Sequence, residues 1–455
     1  MISAIRSHDS GEVRRLLDSG VDRGSLDDAG STLLVFACDR GSAEIVSTLV
    51  SEGEDVDRAA QDGCTPLLVA SRRGRKDIVG ILLRAGADKD AANDKGWTPL
   101  GCACFKGHAD VVETLLREGA DKDATSDSGW TALAAASHKG HVEIVEMLLR
   151  SGANKDKSTA RGTTPLYQAS IKGRPLIVAK LLRAGANVEK ETKEGWTPLA
   201  AASSEGHKDI VEMLLRAGAK TEHANVDRCT PLITASLHGR TEVVKTLLRA
   251  GADREKRTKR TKRTPLLCAS IRGHVDAVKA LLSAGADPEI ADVEGSTPLI
   301  CAAFEGHADV VELLLSVGAD TERANGGGAT ALISACYRGH GDAAKALLRY
   351  GANVNCVAAS GQTPLIAALD YDHDDLIPAL VRAGASVPKE GAIDDAQRMR
   401  ILRKLTEPHL RFLRGTGECD SPSCLLSGFP ELVRFIVFHS LEGWVTHDET
   451  KYQLP

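Results

Sequence analysis

The sequence predicts an all-α solenoid, in which helix pairs joined by short hairpin loops repeat along the chain and helices cap the C-terminal end. Three observations carry this. Stepping from Thr98 by 33 residues meets Thr32, Thr65, Thr131, Thr164, Thr197 and Thr230, and one inserted residue then shifts the series to Thr264, Thr297, Thr330 and Thr363. The columns after this Thr are nearly fixed: Pro follows in all but Leu33, Ala132 and Ala331, Ala stands five residues on in every copy, and Gly nine residues on in all but the last. Between one glycine and the next, stretches such as Asp110 to Leu116 place apolar residues at helical spacing on one face. A fixed period of this size replaces the usual domain count for 455 residues with one elongated, stacked body.

Each element has a local cause. Residues 1–22 read as a partial capping unit, because Gly11 to Gly20 matches the outer half of a repeat and carries polar residues. Residues 23–388 are the repeats. In each, a residue such as Thr98 caps an inner helix, and Pro99 fits the first turn because no backbone N–H is needed there. Ala103 stays small where inner helices approach one another, and Gly107 ends the helix in a conformation that opposes a Cβ. The outer helix follows, closed by Gly119. Its last residue is usually a cation (Arg84, Arg117, Arg150, Arg183, Arg216, Arg249), which complements the helix dipole. No unit buries its apolar stripe alone, so stability must come from neighbours.

The stretch from Gly96-Trp97-Thr98-Pro99-Leu100 to Gly119-Ala120-Asp121, repeated in eleven in-phase copies, resembles the ankyrin-repeat family. The resemblance implies a curved solenoid with short β-hairpin loops. It also implies a non-catalytic scaffold that binds proteins through a concave groove lined by hairpin tips and the exposed ends of inner helices. One family feature is missing. The His expected three residues after the Thr is replaced by Val35, Leu68, Gly101, Ala134, Tyr167, Ala200, Ile233, Leu267, Ile300, Ile333 and Ile366. The tie between loop and helix must therefore be made differently.

Composition excludes several classes. Lys plus Arg is 57 against 62 for Asp plus Glu, and a net charge of -5 gives no global attraction to nucleic acid or anionic membrane. No signal peptide opens the chain and no apolar run is long enough to span a bilayer, so a cytoplasmic protein is expected, with no membrane insertion. Of the eleven cysteines, Cys38, Cys104 and Cys336 share one inner-helix column and Cys102, Cys268 and Cys301 another, which makes them small packing residues with reduced thiols. His108, His141, His207, His274, His307 and His340 recur with the repeat and read as structural. No phosphate-binding loop, nucleophile elbow or His-Glu-x-x-His is present, and Cys419, Cys424, His409 and His439 match no standard zinc spacing. No enzyme activity, cofactor or metal is expected.

Function is then sought in columns that vary. Eight residues after the Thr stand Arg73, Lys106, Lys139, Lys172 and Arg272, and one residue earlier Phe105, Ile171, Phe304 and Tyr337. Trp97, Trp130 and Trp196 directly precede their Thr. Aromatic groups beside cations are a usual hot-spot composition, and exposed apolar groups mark binding surfaces. These residues are the candidate partner site, for an extended segment both acidic and apolar. Packing of each Trp on the adjacent hairpin is the alternative. The hairpin with the inserted residue carries Lys256, Arg257, Lys259, Arg260, Lys262 and Arg263, a cluster suited to phosphate, an acidic partner or nuclear import, or else a solvated turn.

From 389 to 455 the period is lost. Asp394 to Leu413 and Pro430 to Phe438 read as amphipathic and apolar helices that cap the stack. The second has a faint similarity to F-box-like segments. It supports an alternative reading, a substrate-recognition adaptor docking a ubiquitin-ligase subunit. A weaker alternative is nuclear or nucleic-acid association through 254–263.

Overall fold

The structure, a computed structural model, describes residues 1–19 and 30–386, and among them it contains 24 α-helices and no strand. The expected helices of 389–455 and the start of the first full repeat lie outside the described residues. Two compact units are present, Met1–Val293 and a second beginning at Glu294. Within each, inner helices pack on inner helices of the next repeat and outer on outer, with inner and outer also paired inside a repeat.

The threonine series starts a helix every time. All eleven threonines are extended N-caps whose Oγ1 accepts the N–H three residues on, as Thr98 does from Gly101 at 3.2 Å. The column that lacks the family's histidine thus contributes its backbone N–H, whatever its side chain. The inner helix Pro99–Lys106 ends at Gly107, where φ is +88°. Its outer partner Ala109–Arg117 turns Val111, Val112 and Leu115 into the core against Leu100, Ala103 and Cys104, all six fully buried. The first unit is more complete than its sequence signal: a short inner helix, Ile2–Arg6, precedes Ser10–Asp18 and buries Ile5. No side-chain cap announces it, because Met1 at its N-cap has no oxygen to accept a backbone N–H.

Three kinds of hydrogen bond join consecutive repeats. In the first, the residue after the helix-ending glycine reaches back one repeat: His108 Nε2–H donates to the Arg72 carbonyl at 3.0 Å, and His274, His340 and His373 bond the carbonyls of Leu237, Phe304 and Tyr337. Arg240 does the same through Nε to Ser204. These carbonyls close helices and otherwise lack partners, so the structural reading of the histidines acquires a mechanism. In the second, a loop carboxylate accepts a backbone N–H from the following loop, as Asp90 does from Asp121 at 2.8 Å, Glu189 from Lys220 at 2.8 Å and Glu322 from Asn353 at 2.8 Å. In the third, loop backbones bond each other, from Asp94 N–H to Asp62 O through Lys193 to Arg161, and in the second unit from Ala359 to Gly327.

The loops turn as hairpins without forming strands. Six are held from within by a side chain five residues before the Thr, among them Asn93, which accepts from Trp97 N–H at 3.0 Å, Ser126 from Trp130 at 3.1 Å and Thr192 from Trp196 at 3.2 Å. In those repeats Asn, Ser or Thr in that column ties the loop ahead of the helix together, whereas Ala60 and Ala358 leave the column without a side-chain acceptor.

Candidate functional site

Trp97, Phe105, Lys106 and Lys139 converge at the C-terminal ends of two adjacent inner helices. The Trp97 ring meets Phe105 edge-on, centroids 5.7 Å apart, and lies across Gly101, whose missing Cβ would stand 3.0 Å from it. Lys139 extends from the next repeat over the face of Phe105 at 4.3 Å, and Lys106 lies 5.9 Å from the same ring. One repeat on, Trp130 packs edge-on against His138 at 5.3 Å, and His138 Nδ1–H donates to Gln168 Oε1 at 2.8 Å. The three tryptophans and Phe105 are half-buried, while Lys106, Lys139 and Lys172 are exposed and have no ion pair among the described residues. Tryptophan therefore both packs locally and leaves an edge at the surface.

Several expectations are modified. Arg73 is not a free cation, because its guanidinium forms two bonds to the Asp39 carboxylate, at 2.7 and 3.2 Å. Ile171 is half-buried, and Lys172 and Arg272 cap helices that end one residue early. Trp196 is half-buried and makes no ring contact with another aromatic group among the described residues. In the second unit Phe304 stacks near Tyr337 at 6.2 Å, with Arg338 4.9 Å over the Phe304 ring, and Tyr337 continues to Tyr371 at 4.3 Å. Tyr371 was not read from the sequence. It follows the Thr by eight residues, in the column of cations.

The basic hairpin is bonded on both sides. Lys259 N–H donates to Asp227 O at 2.8 Å and Thr261 O accepts from Val293 at 3.0 Å, while Thr258 Oγ1 accepts from Arg263 N–H at 2.9 Å. Its cations divide into two groups. Arg263 lies 3.8 Å from the buried Asp292 carboxylate and Lys256 3.8 Å from Asp253, whereas Arg257, Lys259, Arg260 and Lys262 are exposed and form no ion pair among the described residues. Removing Arg263 would leave a buried carboxylate without this cation, so it is part of the fold rather than of a free charged surface.

Titration offers one pH-sensitive joint. His223 places its ring nitrogens 2.8 Å from Glu189 and 2.7 Å from Glu191 of the preceding repeat. Burial opposes the imidazolium, yet the bonds to Glu191 and Glu189 raise its pKa above the ordinary 6.5. A raised folded-state value stabilises fully below the unfolded pKa and is lost as pH rises through the folded one. His223→Gln should therefore lower the melting temperature at pH 5.5, with the gap closing at pH 8.5; thermal scans at both values check it. Inner-helix thiols stay protonated: burial raises Cys102 to about 11 and Cys268 to about 12, and Cys38, Cys104 and Cys336 further.

Among the described residues no group of His, Cys, Asp and Glu could hold a metal ion, and no helix is long and apolar enough to cross a membrane. The proposed ligase-recruiting segment 389–455, with Cys419, Cys424, His409 and His439, lies outside the described residues. The fold and its cross-repeat bonds define a solenoid of stacked helix pairs that presents loop tips and inner-helix ends as its variable surface. A family model described as ankyrin repeats, in three copies, matches residues 1–93, 86–159, 103–192, 166–258, 232–325 and 317–390, and the chain belongs to the ankyrin-repeat family. A search of curated proteins found no match.

Proposed function

We propose that this chain is a non-catalytic scaffold that holds an extended protein segment, acidic and apolar, across the inner-helix ends of the repeats begun by Thr98, Thr131 and Thr164. Ankyrin repeats generally serve as protein-interaction scaffolds, and this family is typically non-catalytic. The observation that carries the finer reading is the Trp97–Phe105–Lys139 cluster, a half-exposed aromatic surface with an unpaired cation over it. Inner helices pack about 8–10 Å apart and an extended chain advances about 3.3 Å per residue, so a carboxylate at about every third position would meet Lys106, Lys139 and Lys172 in turn. Arg73 joins only by exchanging Asp39.

A labelled peptide with glutamate every third residue and leucine between tests this by fluorescence anisotropy. Trp97→Ala or Trp130→Ala should cost about 2 kcal/mol, or about 30-fold in Kd. Lys139→Glu should chiefly slow association and remove its salt dependence. Wild-type affinity in all three variants, with melting curves showing them folded, would place the partner elsewhere.

A further inference from the structure

Among the described residues, four other than glycine adopt left-handed backbone: His8, Arg228, Lys262 and Asp372. His8 follows the inner helix of the first unit and Asp372 that of the Thr363 repeat. Arg228 and Lys262 are different. They stand two residues before Thr230 and Thr264, on adjacent loops, in a column that is glycine in every other repeat.

That column opposes a side chain twice over. Left-handed φ costs a residue with a Cβ about 1–2 kcal/mol. The Cβ also faces the next loop: built on Gly96 it would stand 2.7 Å from Asp127 N, and on Gly129 2.5 Å from Ala160 N. Arg228 and Lys262 carry that Cβ, and the loop facing Arg228 is the one with the inserted residue. Both departures put a cation at the tip, at φ +58° and +57°. Strain held twice in equivalent places by the same chemistry points to a use for the charge.

The surroundings define what would bind. Arg228, Arg257, Lys259, Arg260 and Lys262 are exposed and form no ion pair among the described residues, with Asp227 the one carboxylate on the two tips. On either side the backbone ladder fixes a valine: its donors on three successive loops are Val226, Lys259 and Val293, and the two valines are 57% and 62% exposed. In the preceding loops of the same unit the donors are Asp94, Asp127, Ala160 and Lys193. We propose that loop tips 226–228 and 257–263, with Val293, form a second binding surface that takes an acidic protein segment carrying an aliphatic residue on each side of its carboxylates. Exposed valines match an apolar partner, and the tips hold no aromatic ring on which a base could stack. This surface is separate from the inner-helix cluster and does not depend on it.

The strain supplies a control that ordinary charge removal lacks. Arg228→Gly with Lys262→Gly removes two cations while relieving the backbone, so the melting temperature should rise as binding falls. The probe is a labelled peptide of five glutamates flanked by leucines, with a labelled 20-nucleotide single strand and a 20-base-pair duplex as comparisons, each at two salt concentrations. The expected result is at least a tenfold weaker Kd for the peptide in the glycine variant, and a severalfold weaker one in Val226→Ser with Val293→Ser, whose salt dependence is kept. Unchanged peptide affinity in the glycine variant, or no peptide binding by the wild type, would overturn the proposal. Tighter binding of either DNA than of the peptide, indifferent to the valines, would also overturn it and mark a polyphosphate surface.

Discussion

Gly74→Ala should lower the unfolding free energy by about 2–3 kcal/mol, combining the left-handed penalty with loss of a cross-repeat hydrogen bond. Gly74 has φ +72°, and a Cβ there would stand 2.5 Å from Nδ1 of His108, the ring that closes the Arg72 carbonyl. Gly86 is the control: its φ is +89°, but a Cβ would meet nothing within 4 Å, so Gly86→Ala should cost only the conformational share, about 1–2 kcal/mol. Adding His108→Ala to Gly74→Ala removes the obstruction, so the double variant should lose less than the two single losses summed. Chemical denaturation of the four variants measures this. Equal losses at Gly74 and Gly86 would show that the histidine column merely occupies space beside the helix end.

Ala202→Leu is expected to be of similar size, costing about 1–3 kcal/mol by overpacking. Ala202 is fully buried on the inner helix Pro198–Glu205, which packs between Pro165–Ile171 and Pro231–Leu237, each with its own buried alanine, Ala169 and Ala235, in the same column. Leucine would add three carbons at a position with no exposed surface, so the neighbouring helices are expected to shift to admit it. The urea midpoint should fall, and a midpoint equal to that of the wild type would mean that the column tolerates bulk.

Much of this was legible, because a repeat writes its local rules many times. Thr98, Pro99, Ala103 and Gly107 each act within one helix, and the sequence shows them together. What joins one repeat to the next was not legible, since His108 and Arg72, Glu189 and Lys220, or Lys193 and Arg161 are about one period apart and each looks complete as a local feature. The same blindness affected the candidate site. Reading down columns made Arg73, Lys106, Lys139 and Lys172 a uniform ladder of cations, whereas the contacts run diagonally. Arg73 meets Asp39 and Lys139 meets Phe105, each linking one column to its neighbour a repeat earlier. The half-repeat helix Ile2–Arg6 escaped notice for a related reason: without a threonine it has no start signal, and burial of Ile5 against later helices is a tertiary fact.

The ladders also give the chain a grammar of duplication. Most repeats carry an acceptor for the loop ahead, such as Asp90 for Asp121, and a donor for the helix end behind, such as His108 for Arg72. A copied period therefore arrives with both halves of each new joint already encoded, and no compensating substitution is needed at the seam. The inserted residue of the 258–263 loop obeys the same grammar, because it falls between the donor at Lys259 and the acceptor at Thr261 and leaves both bonds in place. Within a unit, whole copies and single residues at that one point are the length changes that preserve the bonding, so the number of repeats is the architectural variable most open to mutation.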